Sequence, residues 1–566
     1  MNHFYRRACI GGLAGLLASV PLALTLASVP GAIALGVVLG AAFTVVFPPQ
    51  KNAYVDALMV GASAGIPCWG LCSLLLFPLL SGQSPQWDGE GMRAHFPALV
   101  GWVCYGGLLG ILVQGLTEAA TSVLGPEPVA VQTEVQKRRI VILGGGFAGM
   151  QTAVALEHEL RGDPSVSITL VSETNALLFT PMLAEVAGSS LEAGHISTPL
   201  RTSLHFASFI RGRVTSIDLE KRRVSLDMGP GGGMEPEPAR EIEFDHLVFA
   251  LGAVSNYHGL TNVEKHSFNF KSLLDAVRIR NHVIEMFERA DRESNEGARR
   301  AMLTFVVAGG GFAGVELAGA MNDFARGILA DYPNLRPEEV RVILVHSRER
   351  ILPELSEAMG NYARRSMEAR GVQFKLGVRL LDARTGAVVL SDGEIPAQTL
   401  VWTAGVAPNP LLATLPYERD KRGAVKVEST MAVPGAPGIW AVGDCAALND
   451  GKTGKPCPPT AQFAIREAAT LARNLKAALE GRPPKPFHFD SLGALCVVGH
   501  QTACAELTVP FAREKSLRFS GLLAWLMWRG IYLSKLPGLE RKVRVLLDWT
   551  TELFFPKDIV QTIDLS

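Results

Sequence analysis

Apolar positions along this chain follow two regimes. From residue 8 to residue 50 there is no charged side chain. A bilayer core of about 30 Å needs about 20 apolar residues per helix, so this run predicts two crossings, with Pro30-Gly31 as the break between them. Residues 57–80 predict a third crossing and residues 98–116 a fourth. Beyond residue 137 the pattern changes. At two places a short β-branched run, 139–143 and 303–308, leads into a glycine cluster and then an Ala-rich helical stretch. That order predicts buried parallel strands in an α/β fold.

Composition sharpens this division. The 566 residues carry 54 Lys+Arg and 54 Asp+Glu, and zero net charge argues against a nucleic-acid binder, which should be basic. With 48 % hydrophobic residues the chain is not disordered. Charged residues make up 19 %, below the usual value of about 25 %, and the deficit lies in residues 1–130. The predicted spans contain no ionisable residue of the kind an ion pathway needs at depth, so they read as an anchor or packing module. Arg6, Arg7 and Lys51 face an acidic loop over residues 83–91 that holds Asp88 and Glu90. The positive-inside rule then predicts a multi-pass protein of the inner (cytoplasmic) membrane with its catalytic domains in the cytoplasm. Gly36/Gly40, Gly61/Gly65 and Gly106/Gly110 have the spacing that lets helices approach closely, which leaves a homodimer open. Cys9, Cys68, Cys72 and Cys104 lie in or at the edge of the spans, and Cys445, Cys457, Cys496 and Cys504 lack metal-ligand spacing, so no metal is expected.

The two glycine clusters carry the chemistry. In the first, Gly144 makes the tight turn, Gly146 lets a pyrophosphate approach the backbone, and Gly149 lets the helix pack on the strand. A second strand, 167–171, ends near Glu173, whose carboxylate can accept from an adenosine ribose. In the second, Gly309, Gly311 and Gly314 repeat the pattern, but the following strand, 341–345, ends in His346-Ser347-Arg348 instead of an acid. Arg348 suits a 2′-phosphate, whereas His346 can still hydrogen-bond a diol, so NADH and NADPH both remain open at this site. Two cradles imply two dinucleotides, and FAD held non-covalently with NAD(P)H as co-substrate is the economical pair. The IWAVGD string, with Gly443 and Asp444, resembles the second FAD signature of two-dinucleotide flavoproteins, and FDHLVFALGA (244–253) resembles the strand that hands the chain to the NAD domain.

At this point the residues resemble type II NADH:quinone oxidoreductases. The matching strings are FTPML (179–183), VWTAGVAPNPLL (401–412), AVGDCA (441–446), PPTAQFAIREA (458–468) and the C-terminal SGLLAWLMWRGIYL (520–533). The N-terminal spans are not part of the family pattern. The resemblance implies two Rossmann-like dinucleotide-binding domains of the flavin disulfide-reductase type, a membrane quinone as acceptor, NADH as the favoured donor, and no ion pumping. The expected organisation is a transmembrane region (1–124), a linker (125–137), a FAD domain in two parts (138–260 and 400–480) around an NAD(P)H domain (261–399), and a C-terminal membrane-interface domain (481–566).

The absence of cysteine between Cys104 and Cys445 argues against thiol chemistry at the flavin, as disulfide reductases and sulfide:quinone oxidoreductases require. Thr460 can cap a helix over 461–479 and aim its N-terminus at the flavin. The resemblance gives Gln462 a contact with quinone or flavin, places Arg466 where the family has a second Gln, and puts Glu316 beside the nicotinamide in a role linked to proton delivery. Arg466 could donate to a quinol oxygen or simply pair with a carboxylate. The basic, Trp-bearing segment around 521–533, flanked by Arg513, Lys515, Arg518, Lys535, Arg541, Lys542 and Arg544, predicts docking on anionic lipid headgroups. The tip at 229–238 reads as a flexible hairpin. Alternative readings are a reductase of a ferredoxin-like protein acceptor and a redox-sensing membrane flavoprotein.

Overall fold

The computed structural model describes residues 3–26, 28–47, 53–85, 89–124, 137–229, 239–508 and 516–561. Lys51, Asp88, the linker before Lys137, the glycine-rich tip after Gly229, Arg513 and Lys515 lie outside the described residues. The chain divides into two compact units, residues 1–133 and 134–566.

In the first unit the first expected crossing is two helices, His3–Leu17 and Ser19–Leu26. They part where Pro21 has no N–H to give to the Leu17 carbonyl. The next helix, Val29–Val46, starts at Ser28, whose hydroxyl accepts from Gly31 N, and carries Pro30 in its first turn, where a missing N–H is harmless. Residues Tyr54–Trp69 continue through a π-helical segment, Gly70–Leu76, just beyond Pro67. The last helix, Gly89–Leu124, is 36 residues long and extends past both ends of the expected span. Among the described residues three stretches are long and apolar enough to cross a membrane, Val29–Val46, Tyr54–Leu80 and Arg93–Val123. The first pair, His3–Leu17 and Ser19–Leu26, is not among them.

The small-residue spacing is used inside this unit. A Cβ on Gly61 would lie 2.0 Å from the Gly106 carbonyl oxygen, one on Gly110 1.9 Å from that of Ala57, and one on Gly15 2.0 Å from that of Gly36. These helices therefore touch backbone to backbone. The glycines are filled by neighbours in the same chain and supply no argument for a homodimer.

The second unit holds two five-stranded parallel sheets. The first runs Ile439–Ala441, His246–Phe249, Arg138–Leu143, Val166–Ser172, Ser208–Arg211. The second runs Phe268–Asn269, Thr399–Trp402, Thr304–Ala308, Arg341–His346, Val372–Leu376. In the second sheet Thr304–Ala308 and Thr399–Trp402 are fully buried, and in the first the central strand is buried over residues 140–143, as parallel strands covered on both faces must be. Thr399–Trp402 pairs with Thr304–Ala308 in the second sheet, so the return to the first sheet falls after residue 402 and not at 400. The two halves are joined by an antiparallel pair, Ala253–Ser255 with Val406–Pro408.

A third part follows. Strands Gly493–Gly499, Thr502–Thr508 and Ser516–Ser520 form an antiparallel sheet, then come helices Gly521–Lys535 and Leu539–Thr551. Trp528 and Trp549 point inward and join the core of the second sheet. Leu522, Leu523, Leu526, Leu546 and Leu547 stay exposed.

Candidate active site

Both cradles have the geometry their glycines predict. At the first, Gly144 has φ +112° and a Cβ there would sit 2.1 Å from the Ala250 oxygen, while one on Gly149 would sit 1.8 Å from the Gly144 oxygen. Only a residue without a side chain fits either place. Gly146, the N-cap of helix Phe147–Glu159, has nothing within 4 Å of its virtual Cβ. The second cradle repeats this. Gly309 has φ +125°, a Cβ on Gly314 would meet the Gly309 oxygen at 1.9 Å, and Gly311, the N-cap of helix Phe312–Ile328, is open. Two helix N-termini with open backbone in front of them suit two pyrophosphates.

Around the first cradle, Glu173 is exposed and paired with Arg213 at 2.7 Å. The Gly443–Cys445 turn brings Asp444 to the end of the strand Ile439–Ala441, next to the glycine turn, where Gly443 packs against Ala148. The Asp444 carboxylate takes no hydrogen bond from the described residues. Gly443 N donates to Glu467 (2.9 Å), a carboxyl that burial pushes up to about 7. Glu467 was missed from the sequence, although an acid on the buried face of an amphipathic helix, in step with Ala464 and Leu471, is a readable signal. Cys445 is sealed in, its thiol donating to Phe249 O and held at about 11 by burial, which is packing and not redox chemistry.

Helix Ala461–Leu479 starts at Thr460, whose hydroxyl accepts from Phe463 N. The Gln462 amide is turned to the C-terminal sheet, with Nε2 donating to Gly493 O (3.2 Å) and Oε1 accepting from Leu492 N (2.8 Å). The Arg466 guanidinium lies over the Phe489 ring, 5.2 Å from its centre. The structure thus puts Gln462 at the seam between the first domain and the C-terminal part, and Arg466 against an aromatic ring.

At the second cradle, His346 Nδ1 accepts from Gly310 N (3.1 Å). The proton is then on Nε2, which is buried and has no partner among the described residues. Burial, with Arg348 nearby, keeps the imidazole below its ordinary pKa and therefore neutral. Glu316, in the second turn of helix Phe312–Ile328, is packed against the C-terminal sheet, where Val497 N donates to it at 3.3 Å. That approach depends on Gly319, whose Cβ would be 2.9 Å from the Val498 carbonyl carbon. Burial pushes the Glu316 carboxyl up to about 8, with Glu185 adding repulsion, so it holds a proton at neutral pH. Phe179 of the first domain stacks edgewise on Phe147 and on Tyr532 of the C-terminal helix.

Comparison with known proteins settles the family. The pyridine nucleotide-disulphide oxidoreductase family matches residues 138–468, and the NDH2 C-terminal domain matches residues 492–558. The type II NADH:quinone oxidoreductase Ndh of Mycobacterium tuberculosis is 30 % identical over 443 residues, covering 75 % of this chain and 90 % of that protein. The chain belongs to the type II NADH:quinone oxidoreductase family. A probable NADH dehydrogenase of Dictyostelium discoideum is also 30 % identical, over 432 residues, with 75 % and 91 % covered. The structure of NDH2 from Plasmodium falciparum in complex with NADH superimposes with a TM-score of 0.67 at 18 % identity, covering 75 % of this chain and all of that one. In this type II oxidoreductase neither family match reaches residues 1–137, so the N-terminal apolar unit stands beside the family's parts.

Proposed function

We propose that this protein is a membrane-bound, non-pumping NAD(P)H:quinone oxidoreductase that carries FAD non-covalently. The observation that carries the reading is the pair of glycine cradles in one unit, each open at the glycine that faces a pyrophosphate and closed at the other two. Bound flavin would take a hydride from the nicotinamide and pass two electrons to quinone. The chain's own residues position and protonate. Gly144, Gly146 and Gly149 cradle the FAD pyrophosphate, Glu173 accepts from its ribose, Gly443 and Asp444 hold the ribityl chain, and Gln462 stands at its ring edge. Gly309, Gly311 and Gly314 hold NAD(P)H, with His346 donating to its ribose from Nε2. Glu316, neutral at pH 7, supplies a proton near the nicotinamide side. Gln462 and Arg466 orient the quinone, provided Arg466 leaves Phe489.

The exposed leucines of the C-terminal helices support docking on a bilayer, where a lipid-soluble quinone partitions. The three apolar stretches of the first unit support a multi-pass anchor, and the loop charges support a cytoplasmic catalytic face in the inner membrane. A detergent-solubilised preparation should be yellow, release FAD on denaturation, and reduce quinone faster with NADH than with NADPH. A colourless protein that cannot be reconstituted with FAD would overturn the reading.

A further inference from the structure

We propose that a water-filled cavity beside Glu316 is the inlet through which protons from bulk water reach that residue, with Glu185 as the carrier between. The inference rests on the quinone-reductase reading and adds a residue and a route to it.

The cavity has a volume of about 660 Å³ and is walled by helix Leu183–Ala187, helix Phe312–Ile328, the two C-terminal helices and the chain beyond them. At about 30 Å³ per water it has room for roughly twenty molecules. Glu185 and Glu316 both line it. On its wall Trp528 faces the Glu316 carboxyl, and Arg529 Nε is buried with no hydrogen-bond partner among the described residues.

The groups around the two carboxyls suit this task. Glu185 accepts from Trp549 Nε1 at 3.1 Å and lies 3.9 Å from the Arg529 guanidinium. Arg529 is held between the rings of Trp525 and Trp549 and pairs with Glu552 at 3.0 Å. Lys557 pairs with Glu552 at 2.6 Å and donates to Ser190. Glu552 therefore has two cations and its carboxyl is held below the ordinary range in spite of burial. Glu185 has a weaker hold on Arg529, and burial with Glu552 nearby raises it to about 7. Glu316 faces Val497 N, Trp528, Tyr532, the thiols of Cys496 and Cys504, and Glu185. Glu192, Arg280, Asp323, Arg370, His500, Asp548 and Asp558 complete the titratable wall. Two carboxyls that exchange protons near neutral pH thus open on one hydrated space.

The balance is simple. Reducing a quinone to its quinol with NAD(P)H takes two electrons and two protons. One hydrogen nucleus arrives with the hydride and one proton comes from the medium. Glu316 gives up its proton towards the acceptor, Glu185 replaces it through cavity water, and bulk water reprotonates Glu185. Both carboxyls return to their starting state with one proton consumed.

The test separates the half-reactions in the full-length protein by anaerobic stopped flow. Flavin reduction by NADH needs no external proton and should proceed in Glu185→Gln within about twofold of wild type. Reoxidation by a water-soluble benzoquinone should slow by about tenfold or more, lose its pH dependence between about pH 6 and 8, and recover on adding acetate or in Glu185→Asp. Unchanged reoxidation kinetics and pH profile in Glu185→Gln would overturn the proposal. So would equal slowing of both half-reactions without rescue, which marks a structural role. If wild-type flavin is reduced by NADH but not reoxidised by the quinone, the quinone-reductase reading fails instead.

Discussion

At the residue scale, three carboxyls, Glu316, Glu467 and Glu185, are raised by burial, and they differ in how visible they are in sequence. Glu316 is legible because it follows a glycine cradle by two positions. Its environment is not, since Val497 and Trp528 come from the far end of the chain. With the carboxyl at about 8, quinone reductase activity should fall as pH rises past that value, because the donor loses its proton. Glu316→Gln should slow turnover at pH 7 while keeping full flavin content, measured as kcat and as absorbance per chain. An unaltered kcat would remove Glu316 from the mechanism. Glu467 gives a stability prediction. Its folded value of about 7 exceeds the ordinary 4.5, so between those pH values the folded chain holds a proton that the unfolded chain releases. The stabilisation is complete below about pH 4.5 and is lost as pH rises through about 7. Glu467→Gln should remove that slope, gaining up to about 3 kcal/mol on wild type between pH 5 and pH 8, as read by thermal melts. Parallel melting curves across the range would exclude this. Glu185 was missed because its partners, Trp549 and Arg529, lie more than 340 positions away, and a single acid inside the apolar string PMLAEVAG gave the only local hint.

At the element scale, the glycine turns were readable almost atom by atom, because a positive φ and a contact near 2 Å are demands only glycine meets. The two cradles allow a paired prediction. Gly314→Val would force a side chain into the Gly309 carbonyl, so helix Phe312–Ile328 cannot close on its strand and the protein should lose both stability and NADH binding. Gly311→Ala meets nothing in the protein and should fold normally, yet its methyl stands where a pyrophosphate approaches the backbone. Its KM for NADH should rise about tenfold with an unchanged melting temperature and flavin content. Equal KM values would show that the dinucleotide does not bind there. The membrane helices were less readable. Proline positions break the first leg at Ala18 and introduce the π-helical segment after Pro67, and hydropathy sees neither. The glycine pairs that suggested association between chains are occupied within one chain, because tertiary packing brings Gly61 onto Gly106 and Gly15 onto Gly36.

At the scale of the whole molecule, the C-terminal part does two things at once. It turns Trp525, Trp528 and Trp549 inward, against Arg529 and the second-sheet core, and keeps a set of leucines outside. Arg529, the one charged residue inside the apolar run 521–533, is a buried cation between two indole rings. Replacing Leu523, Leu526, Leu546 and Leu547 with Ser should undock the C-terminal helices from the bilayer surface while the chain stays tethered through its first unit, lowering reduction of a long-chain quinone in vesicles at least several-fold and sparing that of a water-soluble quinone. Equal losses with both acceptors would indicate a packing defect. The sequence by itself determined what depends on neighbours along the chain: which stretches are apolar enough for lipid, where a backbone must turn without a side chain, which helix needs a cap, and the strings that place the chain in its family. Only the tertiary structure decided what depends on groups distant in sequence meeting in a medium of low polarity. That includes the protonation of Glu316 and Glu185, the partner of His346 Nδ1, the seam that occupies Gln462, and the cavity that Glu316 and Glu185 line, since desolvation and the placement of a counter-charge have no signature in local order.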